Sequence, residues 1–252
     1  MAELEITQTL MCAKAAKLAY SERTDLAQMA SELGFDDCDT KLIEKSNHAA
    51  VVINHDDYTI YSFRGTELSD LRDWLANIDV RPIESDLGHV HNGFWNAMLL
   101  FEDELSEFES KIEGRHAFLT GHSLGGAMAC LARVGFDSEL TGVFTFAQPP
   151  VGNRQFGIKY IKRFGHTYFR IINELDDVPT LPVPFLNPLN AFRPMGTAFR
   201  LFRNGELRTE TSFLRSGQEA WASARNPGER AKQIIHSMDE HIRRLTLAHH
   251  AT

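Results

Sequence analysis

The sequence predicts an α/β domain with a mostly parallel central sheet and helices on both faces. Two observations carry that prediction. Short apolar strands alternate with helical segments through the middle of the chain, at His116–Thr120, Gly142–Ala147 and Thr167–Asn173, the order that builds a parallel sheet. In addition, one of those strands passes into its helix through Gly121-His122-Ser123-Leu124-Gly125, a turn type that belongs at the carboxyl end of a parallel strand. A length of 252 residues suits one large domain, and no repeat, low-complexity tract or linker divides it, so residues 1–252 are expected to form a single domain.

Taken in order, Ile6–Tyr20 carries apolar residues at helical spacing, and Ser21 is the expected cap of a second helix over Asp25–Leu33 that Gly34 ends. Ala49–Asn54 and Tyr58–Phe63 are β-branched and aromatic runs around the polar turn His55-Asp56-Asp57, which predicts a hairpin. Directly after it comes Phe63-Arg64-Gly65-Thr66, where Gly65 permits an unusual backbone conformation and Thr66 offers an amide and a hydroxyl donor. Leu68–Asn77 reads as a short amphipathic helix with Leu68, Leu71, Trp74 and Leu75 on one side. His91 beside Gly93 reads as a hydrogen-bonded structural histidine. Phe94, Ala97, Met98, Phe101, Leu105, Phe108 and Ile112 then form one long helical core stripe. Further on, Gln148–Asn153 is a loop that cannot continue a central strand, and Arg154–Phe164 is a helix. Asn204-Gly205 joins Thr197–Phe202 to Glu206–Thr211 as a hairpin. Near the end, His236–Ile242 opens or caps a last helix.

Composition narrows the function classes. A net charge of −8 argues against a nucleic-acid backbone as the main partner. Cys12, Cys38 and Cys130 are too few and too scattered for a disulfide framework or a zinc site; Cys130 reads as buried packing. No apolar run reaches the length of a membrane span. Glu3 and Glu5 stand where a signal peptide would carry basic residues, so a cytoplasmic location is expected, with a leaderless export route left open.

The chemistry centres on Ser123. Gly121 and Gly125 let the chain turn sharply from strand to helix, exposing the Ser123 hydroxyl at the strand end. The helix that follows aims its first amides and partial positive charge at the place where an acyl oxygen becomes an oxyanion. A serine hydroxyl needs an adjacent base, and the base needs an orienting carboxylate. Glu174, Asp176 and Asp177 stand at the end of the strand after the next helix, and histidines stand near the C-terminus. Ser123, Asp176 and His236 fit the order serine, acid, histidine of hydrolases built on such a turn.

These residues resemble the fungal-type (class 3) lipases of the α/β-hydrolase superfamily, in five separated blocks between Phe63 and about Ile242. Phe63-Arg64-Gly65-Thr66 with Asp73-Trp74-Leu75 is similar to the family's oxyanion loop and the short helix after it. His91-x-Gly93-Phe94 is similar to a further block, and Gly121–Ala127 matches the nucleophile signature. Phe146–Asn153 matches the strand and loop that follow, and Asn173-x-x-Asp176-x-Val178-Pro179 looks like the acid block. The resemblance implies the α/β-hydrolase fold, Ser123 as nucleophile, Asp176 rather than Asp177 as acid, and His236 rather than His241 as base. It also implies an oxyanion hole made by the amides of Thr66 and Leu124 with the Thr66 hydroxyl. The family's bracing cysteines are absent here, and neither a metal nor an organic cofactor is implied.

The expected reaction is hydrolysis of a carboxylic ester through an acyl-enzyme, with acylglycerols as substrate. Phospholipase A1, feruloyl-esterase or short-chain carboxylesterase activity is the near alternative, and an inactive binding or signalling module the distant one. Leu68, Leu71, Trp74 and Leu75 resemble a lid. The Pro-, Phe- and Leu-rich stretch from Leu181, including Phe185, is a candidate acyl-binding wall or lipid-facing patch. The expected partners are a lipid or small ester and, transiently, a lipid–water interface.

Overall fold

The computed structural model describes residues 4–66, 79–174, 176, 179, 192–210 and 237–251. Its framework is an eight-stranded sheet in the order β1-β2-β3-β6-β7-β8-β9-β10. The strands are β1 (Asp39–Lys45), β2 (His48–Asn54), β3 (Tyr58–Phe63), β6 (His116–His122), β7 (Gly142–Phe146), β8 (Tyr168–Asn173), β9 (Ala198–Leu201) and β10 (Leu207–Glu210). From β3 through β9 the neighbours run parallel, while β1, β2 and β10 add antiparallel margins. β4 (Pro82–Ser85) and β5 (Gly88–His91) form a separate hairpin.

Side chains alternate across a strand, so each central strand feeds two cores. Ala117 and Leu119 of β6 enter one core and Phe118 the other. On the first face pack α3 (Asn92–Leu99), α4 (Glu102–Glu109), α5 (Leu124–Ala132) and α6 (Arg154–Phe164). On the second lie α1 (Ile6–Leu18), α2 (Leu26–Glu32) and α7 (Met238–His250). The fold class predicted from the sequence is the one observed. α1 is seated close to the strands because alanines line it, and the buried hydroxyls of Ser62 and Thr120 donate to the Ala15 and Cys12 carbonyls at 2.9 and 3.3 Å. Cys130 is fully buried in α5, as expected, and burial pushes its thiol up to about 12.

Two expectations need correction. The stripe from Phe94 to Ile112 is two helices, because Glu102, Asp103 and Glu104 start a new first turn after Phe101, where acidic side chains complement a helix N-terminus. The break keeps Phe101 fully buried and leaves Leu99 and Leu100 exposed. Ser21 does not cap α2; its hydroxyl meets the Met29 sulfur at 2.8 Å, and Asp25 occupies the cap position without a side-chain bond.

Candidate active site

β6 ends at His122 opposite Phe146 of β7, and the Ser123 amide donates to the Phe146 carbonyl at 2.9 Å. Ser123 then turns the chain at φ +55°, ψ −122° and α5 starts at Leu124. A positive φ in a residue with a Cβ is a strained conformation that surrounding structure must enforce. Here the two glycines allow the enforcement. A Cβ on Gly121 would run into the Gly125 carbonyl group, and one on Gly125 into the Phe63 carbonyl. Helix and strand therefore touch backbone to backbone, with Ser123 between them. The Ser123 side chain is buried, and among the described residues its hydroxyl has no hydrogen-bond partner.

The loop after β3 is packed onto this turn. Gly125 lies against the Phe63–Arg64 backbone, and a Cβ on Gly65 would come within 3.3 Å of the Ser123 Cβ and overlap the Tyr20 hydroxyl and the His122 carbonyl. Gly65 has no positive φ, so close approach, rather than the unusual conformation expected from sequence, is what requires glycine there. Thr66 follows directly; its hydroxyl is buried and has no partner among the described residues. Leu124 is the first residue of α5, and the first amides of a helix have no acceptor within it. Thr66 therefore follows a glycine packed on the Ser123 turn, and Leu124 is the residue directly after Ser123.

One strand beyond β7, β8 ends at Asn173, and Asp176 turns back on it through an amide bond to the Asn173 carbonyl at 3.1 Å. Asp176 is buried, 5% exposed. His236 lies outside the described residues, as do Asp177, the lid candidates Leu68, Leu71, Trp74 and Leu75, and the wall candidates Leu181 and Phe185. Ser237, the next residue after His236, caps α7 by accepting from the Glu240 amide at 3.3 Å. That helix is fastened to the end of β8: the Asn173 side-chain amide meets Nδ1 of the buried His241 at 2.9 Å.

Two features escaped the sequence. The Tyr20 hydroxyl bonds Nδ1 of His122 at 2.8 Å beside the loop that carries Gly65, a contact across 102 positions that leaves no local pattern. His91 is buried and stacked on Phe94 at 3.9 Å, and among the described residues neither of its ring nitrogens has a hydrogen-bond partner. This corrects the expectation of a hydrogen-bonded histidine. Burial lowers its pKa to about 4, which keeps the ring neutral. Among the described residues no group of His, Cys, Asp and Glu side chains is arranged to hold a metal ion, and no helix is long and apolar enough to cross a membrane.

Comparison with known proteins agrees with this geometry. The profile described as lipase (class 3) matches residues 60–186, half of the chain. The triacylglycerol lipase OBL1 of Arabidopsis thaliana is 28% identical, over 68% of this chain and 45% of its own. A lipase of Rhizomucor miehei is 33% identical over 54% of this chain and 40% of its own. The chain thus spans less than half the length of these curated relatives. The solved structure of the Rhizomucor miehei triacylglyceride lipase superposes with a TM-score of 0.69 at 23% identity, covering 84% of this chain and 87% of that one; this likeness concerns the fold. The chain belongs to the class 3 lipase family.

Proposed function

We propose that the protein hydrolyses carboxylic esters of the acylglycerol type through an acyl-enzyme on Ser123. The observation that carries this reading is the strained turn at Ser123: a buried hydroxyl at φ +55°, held between the end of β6 and the start of α5 with the Phe63–Thr66 loop packed against it. His236 takes the Ser123 proton during attack on the ester carbonyl and delivers it to the departing alcohol. Asp176 orients the imidazole and stabilises the imidazolium. The amides of Thr66 and Leu124, with the Thr66 hydroxyl, receive the oxyanion, helped by the partial positive charge at the N-terminus of α5. Water then repeats the sequence on the acyl-enzyme. Acylglycerols are chosen because OBL1 of Arabidopsis thaliana is named a triacylglycerol lipase and the superposed Rhizomucor miehei structure a triacylglyceride lipase.

A p-nitrophenyl ester series from acetate to palmitate, run on wild type and Ser123→Ala, tests the proposal. Turnover that is lost in the mutant and greatest at long chains supports it. A maximum at acetate or butyrate makes the protein a short-chain esterase. Equal turnover in both proteins removes Ser123 from the reaction.

A further inference from the structure

Charge is unevenly spread over this molecule. The chain carries −8, yet residues 154–166 contain four Lys or Arg and no Asp or Glu. Phe156, Tyr160 and Phe164 of α6 face the core. Arg154, Ile158 and Lys162 follow at four-residue spacing and so share the opposite side of the helix. Ile158 is 57% exposed, more than any other large hydrophobic residue described. The segment Arg193–Gly196 runs beside this stripe and closes a groove of about 560 Å³, floored by Ile158, Ile161 and Met195 and rimmed by Arg154, Lys162 and Arg193.

Like Lys14, Lys41, Lys159 and Arg163, the three rim cations are in none of the ion pairs among the described residues. Others on the surface are paired: Arg23, Lys45, Arg81, Lys111, Arg208 and Arg243 each meet a carboxylate. One end of the groove, at Asn153 and Arg154, lies at the start of α6. β7 ends level with Ser123, α6 starts eight residues later, and Gly152, just before that start, bridges both Val90 and Arg193. Cations around a groove whose lining includes the exposed Ile158 complement negative headgroups above acyl chains.

We infer that α6 and Arg193–Gly196 form a docking surface for an anionic lipid layer, which brings that layer to the edge of the sheet where Ser123 lies. The inference rests on the proposed lipid-ester chemistry only for its purpose, and docking is measured without catalysis. In the Ser123→Ala background, the protein is co-sedimented with vesicles of phosphatidylcholine, alone or mixed with phosphatidylglycerol. Binding is expected on the mixed vesicles, weakening with salt. The triple change Arg154→Glu, Lys162→Glu, Arg193→Glu should lower it at least about tenfold, and Ile158→Ser should weaken what remains at high salt. An equal charge reversal at Arg23, Lys111 and Arg208 should leave most of the binding intact. In the Ser123 background both triple variants should turn over p-nitrophenyl acetate like wild type. Equal binding to both vesicle types, equal loss in the two triple variants, or no vesicle binding at all overturns the inference. So does saturable binding of monomeric decanoate in the groove without vesicle binding, which would make it a fatty-acid site.

Discussion

The turn at Ser123 and the turn after β8 occupy equivalent ends of parallel strands in one sheet, yet they are fixed by opposite means. At Ser123 the contacts are backbone to backbone: Gly125 on Phe63 and Arg64, Gly121 on Gly125, and an amide bond from Ser123 to Phe146. After β8 two backbone amides, of Glu174 to the Leu201 carbonyl and of Asp176 to the Asn173 carbonyl, are joined by side chains that carry most of the fastening. Asn173 holds His241, Ser237 caps α7, and the buried Arg244 donates to the Leu201 carbonyl at 2.8 Å and to Glu240 at 2.7 Å. A backbone joint tolerates no added volume, whereas a side-chain joint tolerates new shapes but not the loss of a polar partner.

The largest expected effect is on catalysis at the side-chain joint. Asp176→Asn preserves shape and burial but offers an amide where the proposed imidazole partner needs a carboxylate. The equivalent change in a serine protease triad lowers kcat by about 10⁴, and a loss on the order of 10³–10⁴ in ester turnover is expected here, with the thermal midpoint little changed. If turnover falls less than about tenfold, Asp176 is not the orienting acid.

Next comes the backbone joint. Gly125→Ala forces a Cβ into the Phe63 carbonyl, and neither the strand nor the helix has room to yield. A destabilisation of about 4 kcal/mol or more is expected, read as a lowered urea midpoint or loss of soluble protein. A stably folded, active Gly125→Ala protein would show that the joint flexes and would remove half of the comparison.

That same contrast explains what the sequence made legible. Gly121, Ser123 and Gly125 must stand at fixed spacing because the joint is made of consecutive backbone atoms, so strand, turn and helix were all readable, and the parallel order followed. β1 was not: it is an edge strand in which only Leu42 and Ile43 are buried, too little apolar pattern to stand out from a loop. β4 and β5 are four residues each and exist because the hairpin has Val151 and Gly152 to pair with: the His91 amide donates to the Val151 carbonyl at 2.9 Å. For the proposed site, Ser123, Thr66 and Asp176 were picked out in the sequence by type and order. The Tyr20–His122 and Asn173–His241 bonds were not, since each joins residues brought together only by the sheet.

A smaller effect sharpens the boundary between joint and chemistry. Thr66→Ala removes a hydroxyl with no partner among the described residues, and stability is expected to stay within about 0.5 kcal/mol. If that hydroxyl meets the oxyanion, kcat falls at least about tenfold, towards the 2.7–4 kcal/mol, roughly, that loss of such a donor costs elsewhere. Thr66→Ser should recover most of it. Wild-type turnover in Thr66→Ala would assign the oxyanion to backbone amides alone.

The smallest effect concerns a polar side chain that, among the described residues, is held by packing without hydrogen-bond partners. His91 shares a core with α5, stacked on Phe94, and burial lowers its pKa from 6.5 to about 4. The unfolded chain takes up a proton near pH 6.5, while the folded protein resists until about pH 4. Stability is therefore whole above pH 6.5 and declines as the pH falls through that window, by at most about 3 kcal/mol. His91→Leu keeps an apolar side chain of similar size against Phe94 and removes the titration. Urea unfolding at pH 7 should place the variant within about 1 kcal/mol of wild type, because the nitrogens it loses have no hydrogen-bond partner among the described residues. At pH 4.5 the variant should be the more stable of the two. Parallel curves for both proteins from pH 7 to 4.5 would mean that the ring finds a proton acceptor as it charges, and that this part of the core, like the turn after β8, is organised by polar partners after all.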